Sequence, residues 1–363
     1  MKQQQRYVRV RQALLGWFAE NAQDLPWRRT GDPYAIWISE IMLQQTRVQA
    51  VVPYYERFLG RFPTVRQLAR ARLDTVLKLW EGLGYYSRAR NLHRAAQEIV
   101  ARFGGHLPSS REELRTLPGI GRYTAGAIVS IAFGRREPLV DGNVTRVLCR
   151  IFRLKGSPKD TSVQERIWAL AAKLVPERHA GQFNQALMEL GREICVPRHP
   201  RCADCPVNEF CDARLHGEQD LLPTRRPRKP LPFHTVAVGV ICRKGRILID
   251  KRRPEGLLGG LWEFPGGKKR RGEALETALR REVREELALT VRVGRLLAVV
   301  DHAYSHFRVR IHAFECTCAS GTPRCLACAE CKWVRPGDLG RYAFPAANKR
   351  IIEILRSRKV ACP

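Results

Sequence analysis

Ten residues, Pro223 to Pro232, part this sequence into two halves with different hydrophobic periods, and nothing else in it constrains the fold as much. The stretch holds four prolines and four basic residues. Proline lacks an N–H and fixes φ, so the segment cannot hold a helix and reads as a linker over 223–232. Before it, apolar residues recur three and four apart: Val10, Leu14, Trp17, Phe18, then Leu68, Leu73, Val76, Leu77, Trp80. That is the period of helices with one buried face. Gly and Pro breaks at 31–33, 60–63 and 104–108 separate them. After the linker, Val236–Ile241 and Ile247–Ile249 read as strands, 273–288 as a helix, 299–314 as a strand pair and about 347–356 as a last helix. The expected fold class is multi-domain: an all-α domain over 1–222 followed by an α+β domain over 233–363.

The net charge is +29 over 363 residues. Such an excess points to a polyanion, nucleic acid first and an anionic membrane surface a distant second. No apolar run reaches the roughly 18–20 residues of a membrane span. Residues 1–5 lead into an amphipathic stretch without a signal-peptide core, so a cytoplasmic, nucleoid-associated protein is expected. Twelve cysteines then argue for thiols or a metal cofactor rather than disulfides. Four of them, Cys195-x6-Cys202-x2-Cys205-x5-Cys211, are spaced to converge on metal. By spacing alone, zinc and a four-iron cluster fit comparably.

Leu117-Pro-Gly-Ile-Gly-Arg-Tyr-Thr-Ala-Gly126 places Gly119 and Gly121 in a tight turn before a helix. Such a turn aims backbone N–H groups at an anion, as a helix-hairpin-helix (about 112–130) does at a DNA phosphate. The plain alternative is a helix–turn–helix corner, which the charge and the flanking Leu-Pro disfavour. Downstream, Asp141 precedes Gly142 at a helix start, where its ordinary role is an N-cap.

Taken in order, these motifs resemble the helix-hairpin-helix DNA glycosylases with a four-iron cluster, and within them the adenine-specific branch. The resemblance rests on Leu25–Arg29, Trp37–Thr46, Glu81–Asn91, the hairpin, Val140–Arg146, Phe183–Leu187 and the four cysteines. It implies a [4Fe–4S] cluster on Cys195, Cys202, Cys205 and Cys211. It implies base-excision repair of adenine paired with 8-oxoguanine or guanine in double-stranded DNA, by a monomer. Glycosylase/lyases of this superfamily carry a catalytic lysine just after the hairpin. Here Tyr123 stands there, so a monofunctional enzyme is expected.

Adenine leaves poorly unless protonated, and the sugar left behind is a cation that needs a nearby anion. Glu40 lies in the apolar segment Ile36–Leu43, where desolvation would keep it protonated. The resemblance gives Glu40 the role of general acid and Asp141 that of cation stabiliser or covalent trap, supported by Asn143 and Tyr123. It assigns Trp27, Arg28 and Gln185 to the pocket of the flipped adenine. Gln45, Thr46, Leu83 and Tyr85 match residues that wedge into the duplex around the lesion.

The second half resembles a Nudix, or MutT-like, domain that reads 8-oxoguanine. Tyr304, Ser305 and His306 match its recognition loop, Tyr304 as a stacking face and the other two as hydrogen-bonding groups. Gly267-x5-Glu273-x7-Arg281-Glu-Val-Arg-Glu-Glu286 fits the Nudix box, which the adenine-specific branch has typically lost. Glu282, Glu285 and Glu286 share one helix face suited to Mg²⁺, with hydrolysis of oxidised dGTP as the alternative activity. Ala288 replaces the usual closing Gly. Phe344–Asn348 matches the nucleotide-reading end of such domains. Cys316, Cys318, Cys325, Cys328 and Cys331 fit no family pattern; zinc binding and free thiols are both open.

Overall fold

A computed structural model describes residues 3–224 and 230–357. Arg225, Arg226, Arg228 and Lys229 of the linker lie outside the described residues. The chain divides into two compact units, 1–70 with 91–228 and 71–90 with 229–363. No helix among the described residues is long and apolar enough to cross a membrane.

The first unit is helical. Its core joins Val10, Leu14 and Phe18 of the helix Gln3–Asn21 to Val147 and Ile151 of Gly142–Ile151 and to Phe183, Leu187 and Leu190 of Ala180–Glu193. The helix Pro33–Leu43 starts where Asp32 accepts from the Tyr34 and Ala35 N–H groups, with Pro33 pre-set for the first turn. Every residue from Tyr34 to Met42 is buried, so this helix is enclosed on all sides. Gly191 lets two helices meet, since a Cβ there would sit 2.7 Å from Asn143 Cβ.

The second unit carries a seven-stranded sheet: β1 (Phe233–Arg243), β2 (Arg246–Lys251), β3 (Trp262–Glu263), β4 (Gly266–Lys268), β5 (Thr290–Ala303), β6 (Arg308–Ser320) and β7 (Glu330–Val334). The order is β3-β2-β1-β6-β5, with β4 on β1 and β7 on β2. β1 and β6 run parallel, and the other pairs antiparallel. Lys244 and Gly245, at φ 49° and 71°, make the two-residue turn between β1 and β2. Alternate residues face opposite cores. Ala237 and Ile241 pack with Leu279, Val283 and Leu287 of the helix Leu275–Leu287. Val238 and Val240 pack with Ile351, Ile352 and Leu355 of Ala346–Ser357.

Two findings differ from the sequence reading, and one answers a point it left open. Residues 71–90 group with the sheet rather than with 1–70. Polar contacts hold them there: Asp74 pairs with Lys251 at 2.5 Å, Lys78 Nζ donates to the Tyr342 carbonyl at 2.9 Å, and Glu81 accepts from the Phe344 N–H at 2.9 Å. Ala288 closes the box helix in the left-handed region at φ 54° and donates its N–H to Arg284, so the turn forms without Gly. Cys242 is disulfide-bonded, against the expectation of thiols or metal ligands alone.

Candidate active site

The first unit holds a cleft of about 650 Å³ whose wall brings together Trp27, Arg28, Glu40, Tyr123, Asp141 and Gln185, with Gln45, Thr46 and Asn143. These residues come from five separated stretches of chain. Glu40 projects from the enclosed helix Pro33–Leu43 and is 4 % exposed. Tyr123, in the first turn of the helix Arg122–Ile131, donates its hydroxyl to Glu40 Oε2 at 2.7 Å. Burial pushes the Glu40 carboxyl up to about 7. The Tyr123 hydrogen bond opposes that rise, the Asp141 charge adds to it, and Arg28 opposes it more weakly. Glu40 therefore holds its proton near neutrality.

Asp141 is the N-cap of Gly142–Ile151, its Oδ1 accepting from the Val144 N–H at 2.7 Å. Its Oδ2 accepts from Asn143 Nδ2 at 3.0 Å. Burial raises the Asp141 pKa, and the Val144 and Asn143 hydrogen bonds oppose the rise. The bonds that start the helix thus also fix where the carboxylate points. Arg146 extends the support, Nη2 donating to Asn143 Oδ1 at 2.9 Å and Nε to the Cys195 carbonyl at 2.7 Å.

Elsewhere in the cleft wall, Arg28 Nε donates to Gln185 Oε1 at 3.0 Å and Nη1 to the Gln23 carbonyl at 2.9 Å. Trp27 is buried with its ring edge-on to Tyr55. Glu189, Met188, Arg192 and Arg146 were not singled out from sequence. Gln185 and Glu189 are four apart on one helix, which was the available signal.

Of the two turn glycines, only Gly119 needs to be glycine, for it lies at φ 78° with Asn91 Cβ 2.8 Å from where a Cβ would stand. Gly121 is extended, with open space around it, and serves as N-cap of Arg122–Ile131. The preceding helix is a single turn, Arg111–Leu114. Gln45, at φ 58°, is exposed, and Thr46 is half-buried.

Cys195, Cys202, Cys205 and Cys211 line one cavity beneath the helix Gly142–Ile151. Buried Arg150 reaches into it, Nη1 donating to Cys195 Sγ at 3.3 Å. Four soft thiol donors around one space, with a cation beside them, fit an iron–sulfur cluster.

In the second unit, Tyr85 lies at φ 48° and its hydroxyl is 2.5 Å from Ser305 Oγ, while Leu83 is buried. Ser305 and His306 are exposed. Tyr304 already uses one ring face, stacked on Phe307 with centroids 4.8 Å apart. In the Nudix box, Arg281 binds Glu273 at 2.8 Å, Glu282 at 2.8 Å and Glu285 at 3.1 Å. Burial pushes Glu286 up to about 7, with Glu263 and Glu282 adding to the rise. Asp250 on β2 is raised well above its ordinary value by burial, then by Glu263 and Glu286. The Cys325 thiol is within hydrogen-bonding reach of Cys328 and Cys331, beside Asp250. Among the described residues, no three His, Cys, Asp or Glu side chains close on a point as a single-ion site does.

Residues 38–173 match the model of the HhH-GPD superfamily of base excision DNA repair proteins, and 236–354 match the NUDIX domain. A human protein named adenine DNA glycosylase is 35 % identical over 405 residues, covering 96 % of this chain and 74 % of that one. One of the same name from Buchnera aphidicola (Acyrthosiphon pisum) is 34 % identical, covering 83 % of this chain and 84 % of that one. Among solved structures, a thermostable thymine-DNA glycosylase superposes with TM-score 0.54 at 29 % identity, covering 58 % of this chain and 98 % of that one.

Proposed function

Because the chain belongs to the adenine DNA glycosylase family, base-excision enzymes that hydrolyse an N-glycosyl bond, we propose that it removes adenine opposite 8-oxoguanine or guanine, as a monofunctional, monomeric enzyme. The observation that carries this is the pairing of Glu40, protonated near neutrality, with Asp141 in one cleft. Adenine flipped into that cleft takes the Glu40 proton at N7. The C1′–N9 bond breaks with its electron pair passing to the base, and Asp141 steadies the oxocarbenium ion. Water then adds to C1′ and gives its proton to the Glu40 carboxylate, which restores the acid. Asn143 holds Asp141, Tyr123 holds Glu40, and Trp27, Arg28 and Gln185 wall the base. Without a lysine at position 123, no Schiff base forms on the sugar.

Cys195, Cys202, Cys205 and Cys211 would hold the [4Fe–4S] cluster typical of the family. When bound it supplies a structural cross-link, and no step of the reaction runs through it. Gly119 and Gly121 would let the hairpin backbone meet phosphate; Gln45, Thr46, Leu83 and Tyr85 would enter the duplex. Ser305 and His306 would read the oxidised guanine, with Tyr304 propping their loop. Single-turnover base release tests this on duplexes holding adenine opposite 8-oxoguanine, adenine opposite guanine, and thymine glycol. Release from the first two is expected, and release only from the third would overturn the reading.

The Nudix box supports a second activity. Arg281 binds Glu273 and Glu282, and Glu286 keeps one buried oxygen without a hydrogen bond. Glu282, Glu285 and Glu286 would hold Mg²⁺ once Arg281 released Glu282 and Glu285, and water would then cleave oxidised dGTP to the monophosphate and pyrophosphate. The test is Mg²⁺-dependent pyrophosphate release by the full-length chain. Turnover abolished by Glu286→Gln would establish the activity; no turnover would leave the domain a reader.

A further inference from the structure

Glu189 is 2 % exposed, on the same helix as Gln185 and one turn further on. Its carboxylate meets three partners. Oε2 pairs with Arg28 Nη2, Oε1 lies 3.2 Å from Arg192 Nη2, and Oε1 accepts from the Gln23 N–H at 3.1 Å. Arg28 is in turn held at every nitrogen: Nε on Gln185, Nη1 on the Gln23 carbonyl, Nη2 on Glu189. The Arg28 guanidinium also lies over the Phe18 ring, 5.0 Å from its centroid.

A guanidinium in the wall of a cleft needs a counter-charge, and its fork fits a carboxylate better than any neutral group. Glu189 is the only carboxylate whose oxygen meets Arg28 among the described ion pairs. We propose that Glu189 is a positioning residue for adenine excision: it clamps Arg28 against Gln185, so that the base enters a rigid, charge-balanced wall facing Glu40. This rests on the reading of the cleft as the adenine pocket. Glu189 also lines the cleft, but in this proposal it acts on neither the base nor the sugar directly. Its effect passes through Arg28. Without it, Arg28 either swings out of the wall or stays as an uncompensated cation that works against the protonated form of Glu40.

The test is a double-mutant cycle on the full-length enzyme, read as single-turnover adenine release and as affinity for the uncleaved duplex. Glu189→Gln is expected to slow release at least about tenfold while duplex affinity stays within about twofold, because the clamp acts after the DNA is bound. Glu189→Asp, which keeps the charge, recovers part of the rate. In an Arg28→Met background the same Glu189→Gln change costs less than about twofold, since nothing remains to be held. An equal loss in both backgrounds overturns the proposal, as does a wild-type rate for Glu189→Gln. If Glu189→Gln does not fold, Glu189→Asp placed in both backgrounds reads the same coupling. Glu40→Gln separates the two readings. If it still releases adenine, the acid assignment fails; if it is inactive while Glu189→Gln is normal, only the clamp fails.

Discussion

Glu40 shows how a site is made from one residue and its surroundings. Its pKa of about 7 is set first by burial, so its acid form persists to neutrality. Adenine release should therefore decline as pH rises through about 7, the reverse of a carboxylate acting as a base. The same shift bears on folding. A carboxyl raised in the folded state favours folding below its unfolded value near 4.5, and that advantage is lost as pH rises through 7. Glu40→Gln should abolish activity yet stabilise the protein at pH 8 more than at pH 5, the difference being about 2.5 kcal/mol. Urea melts at the two pH values measure it. Ala288 offers a second test at this scale. An alanine at φ 54° is strained where glycine is not, so Ala288→Gly should stabilise the second unit by about 1 kcal/mol. A lower denaturation midpoint for the variant would contradict that. The burial of Glu40 was legible in sequence because apolar residues flank it at 36–38 and 41–43. Glu189 was not, because Arg28, the partner that gives it a place in the cleft, lies 161 positions away and only the fold brings the two together.

Elements were legible where one face is buried and obscure where register breaks. The box helix, read as 273–288, runs Leu275–Leu287, and the last helix, read as 347–356, runs Ala346–Ser357. The strand pair read over 299–314 is longer, since β5 begins at Thr290 and β6 ends at Ser320. Register shifts between Thr290 and Val291, Val293 and Leu296, and Leu296 and Ala298 interrupt the alternation that marks a strand. The two hairpin glycines looked equivalent in sequence, yet only Gly119 has a positive φ, since neighbours along the chain do not reveal which turn residue must be left-handed. The helix starting at Gly142 gives an element-scale prediction. Asn caps a helix about as well as Asp. Asp141→Asn should then keep stability within about 0.5 kcal/mol while slowing adenine release at least about a hundredfold, because only the charge is removed. A parallel loss of stability and rate would mean that the cap, not the charge, matters.

For the molecule as a whole, a net charge of +29 sets the dominant force in DNA association. Each phosphate neutralised releases counterions, so affinity for any duplex should fall at least about a hundredfold between 50 and 200 mM salt. Fluorescence titration across that range checks it, and an affinity that ignores salt would discard the electrostatic account. The division of labour between a helical half and a sheet half was readable from the change of period at the linker. That residues 71–90 consort with the sheet was not, because their attachments are an ion pair to Lys251 and hydrogen bonds to the Tyr342 carbonyl and the Phe344 N–H, which leave no mark on local periodicity. One feature of the helical half reaches furthest. Where Gly191 abuts Asn143, the helix leading to Cys195 and the helix that starts at Asp141 touch with no room for a methyl group. The cysteine loop and the Asp141 carboxylate are thus geared through a joint one hydrogen atom wide, and an alanine there would jam it, turning Asn143 aside and freeing the carboxylate it holds.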